Sequence, residues 1–98
     1  MTAEKRAEEL AKMLADAKAI DVKTYDVRGK SGFTDFFVVA TGAAAPHLKA
    51  LIRTMPKAYR VSGDPESGWI VADYIDVVVH VFSAEARAYY ALEKLWEQ

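Results

Sequence analysis

Two carboxylates and one histidine stand out because they interrupt a stretch that is otherwise strongly apolar. Asp73 and Asp76 lie between two segments rich in β-branched residues, and His80 lies within the second segment. Carboxylates this close in sequence can hold divalent metal ions, act in acid–base catalysis or contact cationic groups of a partner. The two residues therefore form either a catalytic pair or a polar contact patch, and the choice decides whether the protein is an enzyme.

A metal-dependent nucleotidyl transfer site needs more than these two carboxylates. Such a site holds magnesium with several carboxylates and cradles phosphate on a turn with glycines or hydroxyl side chains. Thr41-Gly42 lies at a suitable strand end, but Ala43 and Ala44 provide no hydroxyl. Two other interpretations of the carboxylates stay open together: local bonds to backbone N–H groups of the turn, and a contact with basic side chains of a partner.

Three more residues are candidates for a partner contact. His80 shares a strand face with Val78 and Phe82, so packing is its default role and a contact surface is the alternative. Trp69 opens a strand just after a loop, where its ring either packs in the core or anchors a partner. Lys30 follows a turn glycine and is expected in solvent, available for a contact.

The hydrophobic periodicity around these residues alternates between helical and extended patterns. A loop is expected over residues 63–68, and Ala86, Tyr89, Leu92 and Trp96 form the apolar stripe of the last helix. The expected elements are a helix over 3–19, a strand over 21–28, a strand over 36–40 extended by Thr41, a helix from Pro46 to Thr54 or Met55, a short strand at Tyr59 and Val61, strands over 69–72 and 77–82, and a helix capped by Ser83.

This order predicts an α/β (α+β) fold in which a mixed sheet is flanked by three helices, in the order α-β-β-α-(β)-β-β-α. At 98 residues the chain is expected to form a single domain, and its 52% hydrophobic content suffices for one core. A net charge of −1 without long like-charge runs disfavours nonspecific nucleic-acid binding. The chain has no cysteine and no apolar run long enough for a membrane span, so a cytoplasmic protein is expected.

Short strings between Val27 and Trp96 form an ordered set, within a match that runs from about Leu10 to Trp96. They are Val27-Arg28-Gly29-Lys30-Ser31, Thr34-Asp35, Ala40-Thr41-Gly42, His47, Trp69 with Asp73 and Asp76, Val79-His80-Val81-Phe82 and Tyr90-x-Leu92-Glu93-x-Leu95-Trp96. This set resembles the Iojap-like family of ribosomal silencing factors. The chain departs from the family pattern at Ala43-Ala44, Pro46, Ser62 and Ile75, and its segment between residues 47 and 69 is shorter than usual.

The resemblance implies a function that composition does not show. Members of the family bind ribosomal protein fourteen of the large ribosomal subunit and block joining of the small subunit, without a cofactor. Their fold is similar to that of nucleotidyltransferases, but they are not thought to catalyse nucleotidyl transfer. Under this resemblance we expect Trp69, Asp73, Asp76, His80 and Lys30 to form the partner-binding surface. A nucleotide-binding or nucleotidyltransferase-like enzyme is the alternative, and a homodimerising module is a third class.

Overall fold

The computed structural model describes residues 2–30, 32, 34–91 and 94. This part of the chain contains three α-helices and five strands, which confirms the predicted α+β fold. In chain order the elements are α1 (Ala3–Asp16), β1 (Ile20–Asp26), β2 (Phe36–Gly42), α2 (Ala45–Thr54), β3 (Arg60–Asp64), a 3₁₀ turn (Pro65–Ser67), β4 (Trp69–Asp73), β5 (Val77–Ser83) and α3 (Ala84–Tyr90).

The five strands form one mixed sheet in the order β1-β2-β5-β4-β3. Its two central strands, β2 and β5, are parallel, and every other neighbouring pair is antiparallel. The parallel pair requires a crossover, which α2, β3 and β4 supply between the two strands. The shorter connections produce the antiparallel pairs, and β1 and β3 lie at the sheet edges.

One face of the sheet is covered by α1 and α2 and is aliphatic. The Thr2 hydroxyl accepts a hydrogen bond from the Lys5 N–H and so caps α1 at its first turn. Leucines at helical spacing, Leu10 and Leu14 in α1 and Leu48 and Leu51 in α2, are buried against the strands. Phe36 of β2 adds one ring to this core, and the other buried strand residues in it are small or β-branched: Val38, Ala40, Ile70, Ala72, Val77, Val79 and Val81.

The opposite face carries rings, and α3 packs at one end of it. Val39, Phe82 and Ala86 form a small buried cluster there, with Tyr25 and Trp69 packed against it. The Ser83 hydroxyl accepts a hydrogen bond from the Ala86 N–H, which caps α3 as predicted. The chain therefore has a main aliphatic core on one side of the sheet and a smaller aromatic cluster on the other.

The first helix and the first strand differ from the predicted boundaries. α1 ends at Asp16 rather than at residue 19, because Lys18 adopts a left-handed backbone (φ 73°) and the Ala19 N–H donates to the Leu14 carbonyl. This is a Schellman-type helix end, in which the left-handed residue is usually glycine. Because that residue is Lys18 here, the sequence does not indicate where the helix ends. β1 spans Ile20–Asp26 rather than 21–28 and contains an irregularity between Ile20 and Lys23.

The expected loop over residues 63–68 is also wrong in its first half. Gly63 and Asp64 belong to β3, opposite Ile70 and Trp69 of β4. Gly63 has φ 95° and lies so close to the Trp69 carbonyl that a side chain would collide with it. Glycine is typical of loops, but here the missing side chain of Gly63 allows the edge strand β3 to approach β4 closely.

The last helix is shorter than predicted. α3 ends at Tyr90, and Ala91 adopts a left-handed backbone (φ 48°). Ala86 is buried as expected, but Tyr89 is wrong as a core residue because it is 81% exposed. The predicted positions Leu92 and Trp96 lie outside the described residues.

Candidate functional site

Strand β4 places two of the predicted contact residues on one face of the sheet. Trp69 and Asp73 are its first and last residues, and side chains four positions apart in a strand point the same way. At the usual rise per residue they are separated by roughly 13 Å. Between them Val71 lies opposite His80 of β5. Trp69, His80 and Asp73 therefore share the sheet face that α1 and α2 leave uncovered.

The Trp69 ring is held by rings on three sides. It stacks on Phe82 with centroids 5.2 Å apart, and the Tyr90 ring lies 4.7 Å away. Its indole N–H donates a hydrogen bond of 3.2 Å to Nδ1 of His80. The ring is half-buried, and Tyr90 beside it is 48% exposed. We call Phe37, Trp69, His80, Phe82 and Tyr90 the aromatic face.

His80 lies at the centre of the aromatic face and is only 7% exposed. Phe37 meets its ring edge-on at 5.0 Å, and the Phe82 ring is nearly parallel to it at 6.1 Å. Burial lowers the pKa of His80 to about 4, so the imidazole is neutral near pH 7. Because Nδ1 accepts the Trp69 N–H, the proton is on Nε2, which has no hydrogen-bond partner among the described residues.

Asp73 makes the local turn contact that one interpretation predicted. Its carboxylate accepts a hydrogen bond of 2.7 Å from the backbone N–H of Ile75. Ile75 has φ 77°, a left-handed conformation that is costly for a β-branched residue, and the bond to Asp73 supports it. Asp73 keeps intermediate exposure, so the carboxylate also stays accessible beside the aromatic face.

Asp76 is directed elsewhere, and the two carboxylates are not used as a pair. Its Oδ1 lies 3.4 Å from Nε of Arg6 in α1, and both atoms are buried without a hydrogen bond in the described part of the chain. The Asp76 carbonyl accepts the N–H groups of Asp35 and Phe36. Sequence reasoning missed Arg6, although a cation one turn before Leu10 on the buried side of α1 requires an anion nearby.

Lys30 lies at the end of the sheet away from Trp69. Its backbone N–H closes a turn onto the Val27 carbonyl, and Gly29 in that turn has φ 79°. Val27 in turn bonds to Asp35, which bonds to the Asp76 carbonyl. The structure thus brings Lys30 to the same sheet end as Asp76, whereas Trp69 lies beside α3 at the other end.

The loop after β2 is the place that the alternative nucleotide-binding site would occupy. The Ala43 N–H donates to Nδ1 of His47 at 2.9 Å, and Nε2 of His47 lies 3.0 Å from the Ala17 carbonyl. One neutral tautomer of His47 satisfies both contacts. The Thr41 hydroxyl accepts a hydrogen bond from Arg87. The Ala43 N–H and the Thr41 hydroxyl are thus engaged by side chains of α2 and α3.

Within the described residues, no three His, Asp or Glu side chains are grouped so that they could hold a metal ion. None of the helices in that part of the chain combines the length and apolarity needed to cross a bilayer.

Comparison with known proteins assigns this chain to a family. The family model described as "Ribosomal silencing factor during starvation" matches residues 1–98. The chain belongs to this family. The finding confirms the resemblance to Iojap-like silencing factors, and it assigns the chain to translation-related ribosome silencing.

Individual members of the silencing-factor family agree closely with this chain. The ribosomal silencing factor of Treponema pallidum is 36% identical over 99% of this chain and 95% of its own length. A crystal structure of a Chromobacterium violaceum protein superposes with a TM-score of 0.86 and 30% identity, covering 98% of this chain and 87% of that one. The mouse protein "Mitochondrial assembly of ribosomal large subunit protein 1" is 29% identical over 89% of this chain and 43% of its own length. The bacterial relatives are named as silencing factors and not as enzymes.

Proposed function

We propose that this protein represses translation by binding the large ribosomal subunit through ribosomal protein fourteen and sterically blocking subunit joining. Family membership supports the silencing role, and the name of the mouse relative refers to the large subunit. The observation that carries the proposal is the aromatic face, where a half-exposed Trp69 is fixed by ring stacking and by the hydrogen bond to His80.

A tryptophan held in this way has the properties of a binding hot spot. Interface energy is concentrated in a few residues, with Trp and Tyr enriched among them. An anchor whose rotamer is already fixed loses little conformational entropy when the partner binds. Trp69, with the exposed edge of Tyr90 beside it, therefore supplies the apolar centre of the contact.

Asp73 supplies charge at the rim of the same surface. It shares the β4 face with Trp69 and keeps intermediate exposure. A carboxylate there meets basic groups of a ribosomal protein and sets orientation more than affinity. His80 contributes through Trp69, while Asp76 and Lys30, which lie with Asp73 at the sheet end away from Trp69, stay predicted contacts with smaller expected effects.

Occlusion of the subunit interface needs no turnover and no cofactor. The alternative, a nucleotide-binding or nucleotidyltransferase-like enzyme, would use the loop after β2, where the Ala43 N–H is bonded to His47 and the Thr41 hydroxyl to Arg87. Calorimetric titration with nucleoside triphosphates and magnesium distinguishes the two functions. Binding with pyrophosphate release would support the enzyme and contradict pure occlusion.

The contact surface is tested by cosedimentation with purified large subunits. We expect Trp69→Ala to weaken binding at least tenfold and Asp73→Arg to weaken it by a smaller factor. Glu8→Ala and Asp16→Arg are matched controls, since both residues are exposed on α1, which covers the opposite face of the sheet. If all four folded variants bind as the wild type does, the aromatic face is not the contact surface.

Occlusion itself is tested by mixing the two ribosomal subunits and following their association by light scattering. An excess of wild-type protein, added to large subunits first, should reduce the association amplitude, and Trp69→Ala should restore it. Subunit joining that is unaffected by a saturating excess would contradict the repression mechanism even if binding were observed.

We expect the 98 residues to function as one domain in the cytoplasm.

A homodimer that used the aromatic face would bury Trp69 and Tyr90 and would compete with the ribosome for them. Sedimentation equilibrium of the wild type and Trp69→Ala separates a dimer on this face from a monomer.

A further inference from the structure

Basic and acidic side chains are distributed unevenly along this chain. Lys49, Arg53, Lys57 and Arg60 all fall within residues 36–63, and none of the 14 acidic residues does. All four basic side chains are exposed. A chain with a net charge of −1 thus carries one strongly cationic segment, which the overall charge balance conceals.

The fold gathers this segment into a groove between α2 and the edge strand β3. A depression of about 510 Å³ is lined by Arg53, Lys57, Arg60 and Tyr59. A smaller one of about 230 Å³ adjoins it, sharing Arg53 and adding Lys49. No acidic residue lines either depression. We call the two together the cationic groove.

The charges of the cationic groove are not neutralised by neighbours. Among the described residues, none of its four cations has an anion within ion-pair distance, whereas Arg6, Lys12, Arg28 and Arg87 each have one. Asp73 lies opposite Arg60 in the strand register and offsets part of its charge, so Lys49, Arg53 and Lys57 supply most of the positive charge of the groove. The groove therefore retains an attraction for an anionic partner.

We propose that the cationic groove binds the phosphate backbone of RNA without sequence preference, as a contact separate from the aromatic face. Lys49, Arg53 and Lys57 recur every four residues, so the first two lie on one side of α2 and Lys57 follows the helix end. Tyr59 is 70% exposed at the groove and offers a flat ring on which an unstacked base can stack. Cations interleaved with an exposed ring are the arrangement that binds single-stranded nucleic acid.

The same charges would attract an acidic peptide, but β3 is a poor strand for a peptide to extend. Its residues alternate between Arg60, Ser62 and Asp64 on one side and Val61 and Gly63 on the other. It therefore offers no row of apolar pockets for alternate side chains of an added strand. Charged residues on an edge strand also oppose β-pairing. RNA, which needs only cations and a ring, fits the groove better.

The direct test is fluorescence anisotropy with a labelled 12-nucleotide single-stranded RNA and the full chain. Three or four phosphate contacts predict that raising salt from 50 to 200 mM weakens binding about 20- to 50-fold. We expect the triple substitution Lys49→Gln, Arg53→Gln and Lys57→Gln to weaken binding at least tenfold at 50 mM salt and to flatten the salt dependence. Tyr59→Ala should weaken it a few-fold with the salt slope unchanged.

The matched control removes three exposed lysines elsewhere, with Lys5→Gln, Lys12→Gln and Lys23→Gln. It changes the net charge by the same amount and should shift RNA binding less than twofold. Equal effects of the two triple variants would overturn the proposal, as would polyglutamate of equal charge competing as well as unlabelled RNA. Trp69→Ala should leave RNA binding unchanged, so this test and the ribosome-binding test can fail independently.

Discussion

The two faces of the single sheet are built from different kinds of side chain. On the face covered by α1 and α2, Val38, Val79, Leu48 and Leu51 are completely buried. On the other face, rings alternate with the β-branched residues, and Trp69 and Tyr90 remain partly exposed. The core of the first face is mostly aliphatic, with Phe36 and Tyr74 as its rings, whereas the second face is built around rings, of which Trp69 and Tyr90 stay in contact with water.

The difference shows how a small protein can separate stability from recognition. Aliphatic packing is non-directional and is roughly proportional to the apolar area removed from water. Ring stacking and the hydrogen bond from Trp69 to His80 are directional, so they fix one orientation of a side chain that is not fully buried. We therefore expect substitutions on the first face to unfold the protein and substitutions on the second to change binding first.

The largest expected effect is a loss of stability when a side chain is removed from the aliphatic face. Leu51→Ala removes a fully buried side chain between α2 and the sheet and should lower the free energy of unfolding by about 3 kcal/mol. Urea unfolding followed by circular dichroism measures this change. Ile20→Ala, at an exposed position of β1, is the control and should cost less than about 0.5 kcal/mol. Similar losses in both variants would mean that the aliphatic face does not dominate stability.

The next effect is specific to the aromatic face and depends on pH. Folding lowers the pKa of His80 from about 6.5 to about 4 because the ring is buried, so the unfolded chain binds the proton more tightly. The stability associated with the neutral ring is complete above pH 6.5 and is lost as pH falls towards and through 4, by up to about 3 kcal/mol.

This pH dependence is measured by urea unfolding between pH 7 and pH 4 on the wild type and His80→Gln. Glutamine keeps an acceptor for the Trp69 N–H but does not titrate in this range. Trp69, Phe37, Phe82 and Val71, which face the ring, do not titrate either, and carboxylates elsewhere contribute equally to both proteins. Identical pH dependence in the two proteins would contradict a buried neutral histidine.

The main elements of the fold could be predicted from the sequence because their signals are local. Continuous apolar runs predict β2 and β5, and helical spacing predicts α1 and α2. The element boundaries that were predicted wrongly lie at residues whose backbone conformation is unusual for their residue type. Lys18 and Ala91 are left-handed without being glycine, and Gly63 belongs to a strand although glycines usually mark loops.

The candidate site was harder to predict because its geometry depends on contacts distant in sequence. The closeness of Asp73 and Asp76 in sequence suggested a pair, but α1 supplies Arg6 to only one of them. The hydrogen bond between Trp69 and His80 joins residues eleven positions apart, and strand register alone decides that the two share a face. The sequence identifies Trp69 and His80 and places Phe82 on the strand face of His80, but it does not indicate that Phe37 and Tyr90 join them.

A smaller effect sharpens the role of the hydrogen bond within the aromatic face. Trp69→Phe keeps a ring on Phe82 but leaves Nδ1 of His80 without its donor in a buried position. An unsatisfied buried acceptor should lower the free energy of unfolding by about 1–2 kcal/mol. The same variant should bind large subunits more weakly than the wild type and better than Trp69→Ala. Unchanged stability and unchanged binding would mean that the hydrogen bond does not fix the ring.

The smallest effect concerns Arg6 and Asp76 at the sheet end, between the two faces. Their side chains are 40% and 32% exposed and 3.4 Å apart without a hydrogen bond, so a double-mutant cycle should give a coupling of only about 0.2–1 kcal/mol. The cycle uses Arg6→Gln, Asp76→Asn and both together, each measured by urea unfolding. A coupling free energy above about 2 kcal/mol would mean that the ion pair stabilises the fold as much as the buried side chains of the aliphatic face do. A small coupling leaves Asp76 free to exchange Arg6 for a cation of the partner, as its predicted contact role requires.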